Sequence, residues 1–137
     1  MKVFVDTSVW FAATVANDYH NAQAKALLRA MTSPITTDHV LVESWSLIAR
    51  RNDFQAAERF LTRALRSGLE VIVVGRDDLA RAIELGSAFS DQRFSIIDRT
   101  CFVVMERLGI TKAASFDNDF AIYRYGPDRR NAFEIVR

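Results

Sequence analysis

The chain alternates short apolar runs with longer amphipathic stretches, and this alternation constrains its fold more than any other feature. Residues 2–6 (KVFVD), 35–37 (ITT), 70–74 (EVIVV), 111–116 (TKAASF) and 132–136 (AFEIV) read as short strands, the last at a sheet edge. Between them apolar residues return at helical spacing. One helix is expected from about Val9, and a second over His20–Met31, with Ala24, Leu27, Leu28 and Met31 on one face until Ser33 and Pro34 break it. Asp38 is placed to cap a third helix through about Arg51. Asp53 caps a fourth, whose apolar stripe is Ala57, Phe60, Leu61, Ala64 and Leu65 and whose stop is Gly68. Asp77 and Asp78 open a fifth, Gly86–Arg93 is loop-like, and Ser95–Leu108 is a strongly apolar sixth ending at Gly109. Strands alternating with helices imply βαβ units: an α/β protein with a mostly parallel sheet of four to five strands, covered on both faces, in a single domain over residues 1–137.

In such sheets ligands bind beyond the carboxyl ends of the strands. Two strands end there in acids: KVFVD closes on Asp6, and KAASFD on Asp117, with Asp119 two residues on. A strand-end aspartate is commonly a helix cap or a turn residue. Here Thr7 and Ser8 can cap the first helix themselves, which would free Asp6. The two helical acids are more telling. Asp98 shares a face with Cys101, Phe102 and Met105, and Glu43 stands i+3 from Val40 and i−4 from Leu47, also on an apolar face. A carboxylate in such a place is costly unless paired or metal-bound. Arg99 is rotated about 100° away from Asp98 by helix geometry. For Glu43, His39 is the one residue within a turn that offers a structural pair. Four converging carboxylates call for a divalent counter-charge, and hard oxygen ligands select Mg2+ or Mn2+. The same ions acidify bound water and stabilise charge on a phosphoryl group.

Composition narrows the functional classes. Cys101 is the only cysteine, which excludes a disulfide framework and any multi-cysteine zinc site and favours a reducing, cytoplasmic location. No run approaches a membrane span, and Asp6, Thr7 and Ser8 interrupt the apolar N-terminus where a signal peptide would need continuity. Net charge is +1, and +5 without the four acids, so a mildly basic body surrounds the acidic residues. The chain has no GxxxxGK or GxGxxG phosphate loop. Asp6 is followed by Thr7-Ser8 rather than by a second aspartate two residues on, against a dehalogenase-type phosphatase, and Lys112 stands at the start of its strand, not past its end as a receiver domain requires.

VDTSVW, Glu43 after the second strand, DQRFSIIDRTCFVVMERLGI and SFDNDF together resemble the PIN domain, most closely the VapC-type toxins of bacterial type II toxin–antitoxin pairs. The resemblance covers essentially the whole chain. It implies a three-layer α/β/α sandwich in which Asp6, Glu43, Asp98 and Asp117 bind Mg2+ or Mn2+, with Ser8 and Ser95 in support and Asp119 as an alternative or additional ligand. It implies endonucleolytic cleavage of RNA to 5′-phosphate and 3′-hydroxyl ends, a homodimer, and a small antitoxin that covers the acidic cleft. Two alternatives stay open: a non-catalytic PIN-like RNA-binding or assembly module, and a PIN nuclease in RNA processing outside any toxin–antitoxin pair.

Arg59, Arg63 and Arg66, at i, i+4 and i+7 opposite their apolar stripe, join Arg50 and Arg51 in a basic surface that is either a phosphate-backbone track or a solvated face. Arg124, Arg129 and Arg130 with Tyr123 and Tyr125 offer charge and stacking near SFDNDF, or an ordinary turn around Pro127. Trp10, Phe11 and Trp45 read as core or oligomer interface, and Cys101 as an inert core thiol.

Overall fold

The computed structural model describes residues 1–137. Strands β1 (Lys2–Val5), β2 (Ser33–Thr37), β3 (Glu70–Ile72), β4 (Lys112–Ala114) and β7 (Glu134–Val136) form one sheet. Their order is β3-β2-β1-β4-β7, and every pair is parallel. Strands β5 (Arg124–Tyr125) and β6 (Asn131–Ala132) make a separate antiparallel ribbon. The helices are α1 (Thr7–Thr14), α2 (Asn21–Ala30), α3 (Asp38–Arg51), α4 (Phe54–Arg66), α5 (Arg76–Ala88), α6 (Ile96–Leu108) and the short α7 (Asp119–Ile122). None is long and apolar enough to cross a membrane.

The pleat of β1 sorts the core into layers. Phe4 points to one face, where Ile35, Ala113 and the buried sides of α5 and α6 (Ala82, Leu85, Phe102, Met105) enclose it. Val5 points to the other, against Val9 and Ala12 of α1 and Ala24 of α2, with Ala114 beside it. The result is the expected α/β/α sandwich. Continuous apolar strands are what a sheet buried on both faces demands.

Several element ends differ from the sequence reading, each for a local reason. Helix α1 starts at Thr7, and Asp6 is its cap rather than Thr7 or Ser8. Helix α3 is capped by the Thr37 hydroxyl, which accepts from Val40 N at 3.1 Å. Asp38 instead accepts from the backbone of Val74 at 3.0 Å, which draws the chain out of the β3 ladder after Ile72. Pro34 lies inside β2 rather than before it, ahead of the first β2–β3 pair, Ile35 with Glu70. The expected loop at Gly86–Arg93 begins three residues late, because Gly86–Ala88 complete α5. Gly86 suits that helix because the Arg99 guanidinium lies where its Cβ would be, donating to the Ala82 carbonyl at 2.9 Å. Asp53 and Gly109 act as read: Asp53 accepts from Gln55 N and Ala56 N, and Gly109 ends α6 with φ 69°.

One half-buried ion pair ties α5 to α6. Arg107 donates Nε and Nη2 to the two oxygens of Asp78, at 3.0 and 2.9 Å, and Asp78 also accepts from Gly75 N. Asp78 is 6 % exposed, so removing its partner strands a buried carboxylate. Arg107→Met is expected to lower stability by about 2 kcal/mol, a fall of about 8 °C in Tm by calorimetry.

Candidate active site

The sheet order reverses at β1. The chain steps outward to β2 and β3, then returns across β1 to lay β4 on its other side. The carboxyl ends of β1 and β4 therefore flank the crevice where open α/β sheets bind ligands. Asp6 and the Ser115–Asp117 turn follow those two ends directly, and the ladder continues one step past β1, Asp6 N donating to the Ala114 carbonyl at 3.0 Å.

Two serines cross-brace the turns. Ser8 Oγ donates to Asp6 Oδ2 at 2.9 Å and accepts from Phe116 N at 3.0 Å. Ser115 Oγ, fully buried, donates to the same Oδ2 at 2.9 Å and accepts from Asp117 N at 3.0 Å. All the donors to Asp6 meet Oδ2, and Oδ1 is left without one. Glu43 is held likewise: Thr7 Oγ1 donates to its Oε1 at 2.7 Å. Its partner is thus a hydroxyl from α1, not His39. Asp117 Oδ1 accepts from Asp119 N at 3.1 Å, folding the SFDNDF turn so that both acids face one way. Ser95 caps α6, its hydroxyl accepting from Asp98 N at 3.0 Å. That capping bond fixes the first turn of the helix on which Asp98 stands.

These elements close a cavity of about 510 Å³ whose wall includes Asp6, Glu43, Asp98, Asp117 and Asp119. Carboxylate oxygens of Asp98, Asp117 and Asp119 lie within 4.8 Å of one another. No Lys or Arg forms a salt bridge with any of the five. Burial pushes the Asp6 carboxyl up, against the hydrogen bonds from Ser8 and Ser115. Asp98 is pushed up to about 8 by burial first, then by the Asp6 charge, a hydrogen bond shared with Asp119, and the charges of Asp117 and Asp119. The thiol of Cys101, beneath the site, is driven up by burial and by the charges of Asp6, Asp98 and Glu43, so it stays protonated and inert.

The structure thus brings all four acids expected to converge to one cavity, with Asp119 beside Asp117. Ser8 and Ser95 also line the cavity. The arginines divide. Arg51 is on the cavity wall, its guanidinium 6.0 Å from the Phe11 ring centroid. Arg59 and Arg63 line a separate groove of about 420 Å³ with Trp10 and Lys25. Arg50 turns back to the Ser46 carbonyl, and Arg124 caps the end of α7, its Nη1 donating to the carbonyls of Ala121, Ile122 and Tyr123. Tyr123 is fully buried among Phe102, Phe89 and Phe133, part of the core rather than a stacking surface. Sequence reasoning passed over Thr7, Ser115 and Arg93. The first two were legible as hydroxyls adjoining strand-end acids, in VDTS and SFD; nothing marks Arg93 before the fold is known.

Comparison with known proteins places this geometry. The PIN domain family model matches residues 3–124, from β1 through the start of β5. The 23S rRNA-specific endonuclease VapC20 of Mycobacterium tuberculosis is 35% identical over 120 residues, 87% of this chain and 92% of the relative. The crystal structure of VapC20, described as a sarcin–ricin loop cleaving toxin, superposes with TM-score 0.81 at 34% identity, covering 85% of this chain and 91% of that one. A toxin–antitoxin complex from Klebsiella pneumoniae (TM-score 0.65, 12% identity, 98% and 96% covered) and FitAcB from Neisseria gonorrhoeae (0.62, 13%, 86% and 88%) share the fold. With a family match that spans every acid of the cavity, and a relative this similar over most of both chains, the chain belongs to the PIN-domain family, on its VapC-type branch.

Proposed function

We propose that the chain is the toxin of a toxin–antitoxin pair, a divalent-metal-dependent endoribonuclease that leaves 5′-phosphate and 3′-hydroxyl ends. The observation that carries this reading is the convergence of five carboxylates in one cavity, none of them in a salt bridge, where burial first and then Asp6, Asp117 and Asp119 push Asp98 up to about 8. Such a site is short of positive charge. Its donors are all oxygens, the set that suits Mg2+ and Mn2+. Asp6, through its free Oδ1, with Asp98, Asp117 and Asp119 would hold the ion, and Glu43 would contribute directly or through water.

When bound, a divalent cation supplies acidified water and neutralises charge on the phosphate. The protein's own residues do the rest. Ser8, Ser115 and Thr7 hold Asp6 and Glu43 in place with donors to one oxygen each, which leaves the second oxygen of each for the substrate side. Arg51 and Arg93, on the cavity wall, are placed to take phosphates flanking the scissile one. In-line displacement then depends on positioning and charge rather than on a side-chain nucleophile.

The test is cleavage by purified protein of a stem–loop RNA, the sarcin–ricin loop first because the VapC20 relative acts there, with Mg2+, Mn2+ or EDTA. Cleavage is expected only with the metals, and Asp6→Asn is expected to lose it by about 10²-fold or more. Cleavage that persists in EDTA would overturn the mechanism, and calorimetry showing no Mn2+ uptake would favour a non-catalytic RNA-binding module. A small antitoxin covering the cleft, and a homodimer, belong to the same reading. Co-purification with the neighbouring gene product and light scattering test them.

A further inference from the structure

One wall of the acidic cavity is aromatic and unexplained by the chemistry above. The His20 ring lies flat on Phe116, with centroids 4.2 Å apart and planes within 8°. Tyr19 meets His20 at right angles, 4.9 Å away, and is itself 95% exposed. Its inner end is fixed to the catalytic turns, since Phe116 precedes Asp117 and its N–H donates to Ser8 Oγ at 3.0 Å. Its outer end stands in solvent. His20 Nδ1 is buried without any hydrogen-bond partner, and it is the sole such side-chain atom in the protein.

An almost fully exposed tyrosine normally sits on a loose loop. This one does not. Asn21 Nδ2 donates to the carbonyls of Ala12, Ala13 and Val15 at 2.8, 3.3 and 3.1 Å, tying the base of α2 back to the end of α1. Asp18 Oδ1 accepts from His20 N at 2.9 Å, and Asp18 N and Asn21 N are both bonded within the turn. A well-braced loop therefore presents an aromatic ring to water, an arrangement pre-organised for a planar ligand.

We propose that Tyr19, His20 and Phe116 form a stacking wall for one unpaired RNA base beside the scissile phosphate, with Tyr19 as the residue that holds it. This rests on the nuclease reading of the site and adds a substrate feature to it: a single-stranded loop nucleotide, which a paired base cannot replace. An unpaired base presents a π-face that stacks on aromatic side chains and edges that reach polar atoms beside them. His20 and Phe116 share the cavity with the carboxylates, and Tyr19 stands just beyond it against His20, within reach of a base whose phosphate is at the acids. A protein partner is the competing occupant, and the experiment separates the two.

Binding is measured in an Asp98→Asn background, which holds RNA without cutting it. The probes are stem–loop RNAs carrying one 2-aminopurine, moved through successive loop positions. Quenching on binding is expected at one position. Adding Tyr19→Ala should remove it and weaken binding about tenfold, while Tyr19→Phe should retain both. In the cleaving protein, an abasic residue at that position should cost about tenfold in kcat/KM, and nothing further once Tyr19 is alanine. No quenching at any position, equal binding by Tyr19→Ala, or independent penalties from the abasic site and Tyr19→Ala would overturn the wall even if RNA is cleaved. Loss of a co-purifying protein in Tyr19→Ala with RNA binding intact would overturn it in favour of a protein contact. Quenching without cleavage by the unmutated protein would refute the nuclease reading and leave the wall standing.

Discussion

Asp98→Asn is expected to abolish RNA cleavage, by about 10³-fold or more, while making the metal-free protein more stable. Both effects follow from one position. Asp98 is the carboxylate on which the others act: burial, Asp6, Asp117 and Asp119 all push it toward protonation. An amide of the same shape keeps the α6 packing and the Ser95 capping bond, which uses the backbone of residue 98 and not its side chain. Near pH 7 it replaces a carboxyl that burial and its neighbours keep from ionising with a group that has no proton to lose, which is worth about 1–2 kcal/mol to the folded state, or about 4–8 °C in Tm. It also removes an anionic ligand from the place where a cation and a phosphate must meet, and removing a single charge-stabilising group commonly costs 10²–10³ in rate. Single-turnover cleavage and calorimetry on one preparation check the pair. A variant equally inactive but less stable would mean that Asp98 serves packing rather than charge.

The second large effect is a pH dependence that a divalent ion reverses. An aspartate whose folded pKa is about 8 against an ordinary value of 3.8 binds more protons in the folded state than in the unfolded one at every pH between. Stability attributable to Asp98 is therefore whole below about pH 4, falls as pH rises, and is fully lost above about pH 8. The full shift corresponds to on the order of 6 kcal/mol, which screening by solvent at a partly exposed carboxyl reduces to about 3 kcal/mol, or about 12 °C in Tm. Adding Mn2+ at pH 8 should recover most of it, since a ligand at 100 times its Kd stabilises by about 2.7 kcal/mol. At pH 4.5 the ion competes with protons and the gain should be small. The Asp98→Asn protein should show a flatter slope and a weaker response to metal. Melting curves at several pH values, with and without Mn2+, decide it; a wild-type Tm that rises from pH 5 to pH 8 without metal would contradict the assignment.

The acids were legible because they violate expectation locally. An aspartate beside Cys101, Phe102 and Met105, and a glutamate between Val40 and Leu47, demand a partner or a metal, and convergence of several acids points to the second. The sandwich was legible because KVFV and EVIVV leave no polar face for solvent. What escaped is non-local. That Thr37 and not Asp38 caps α3 depends on Val74 arriving from a strand more than thirty residues on and needing an acceptor. That Gly86 is helical depends on Arg99 lying across it. The arginines separate into cavity wall, distant groove and helix cap only through helix rotation and tertiary contact, which charge spacing along a sequence does not contain. Tyr123 illustrates the limit: beside arginines it reads as a surface aromatic, yet the β5–β6 turn folds it beneath Phe133 and Phe89.

The cross-brace of Ser8 and Ser115 has a bearing on synthesis. The hydroxyl of Ser8 joins the first strand-end turn to one made of residues 115–117, and Ser115 closes the same circuit from the other side. A nascent chain that has emerged only through β3 carries Asp6 and Glu43 but neither the brace nor Asp98, Asp117 and Asp119. β4 must then insert beside β1 before the two turns meet. The acidic cluster is thus complete only once the chain has been made through Asp119. On the nuclease reading proposed above, translation proceeds with its own product unarmed until then.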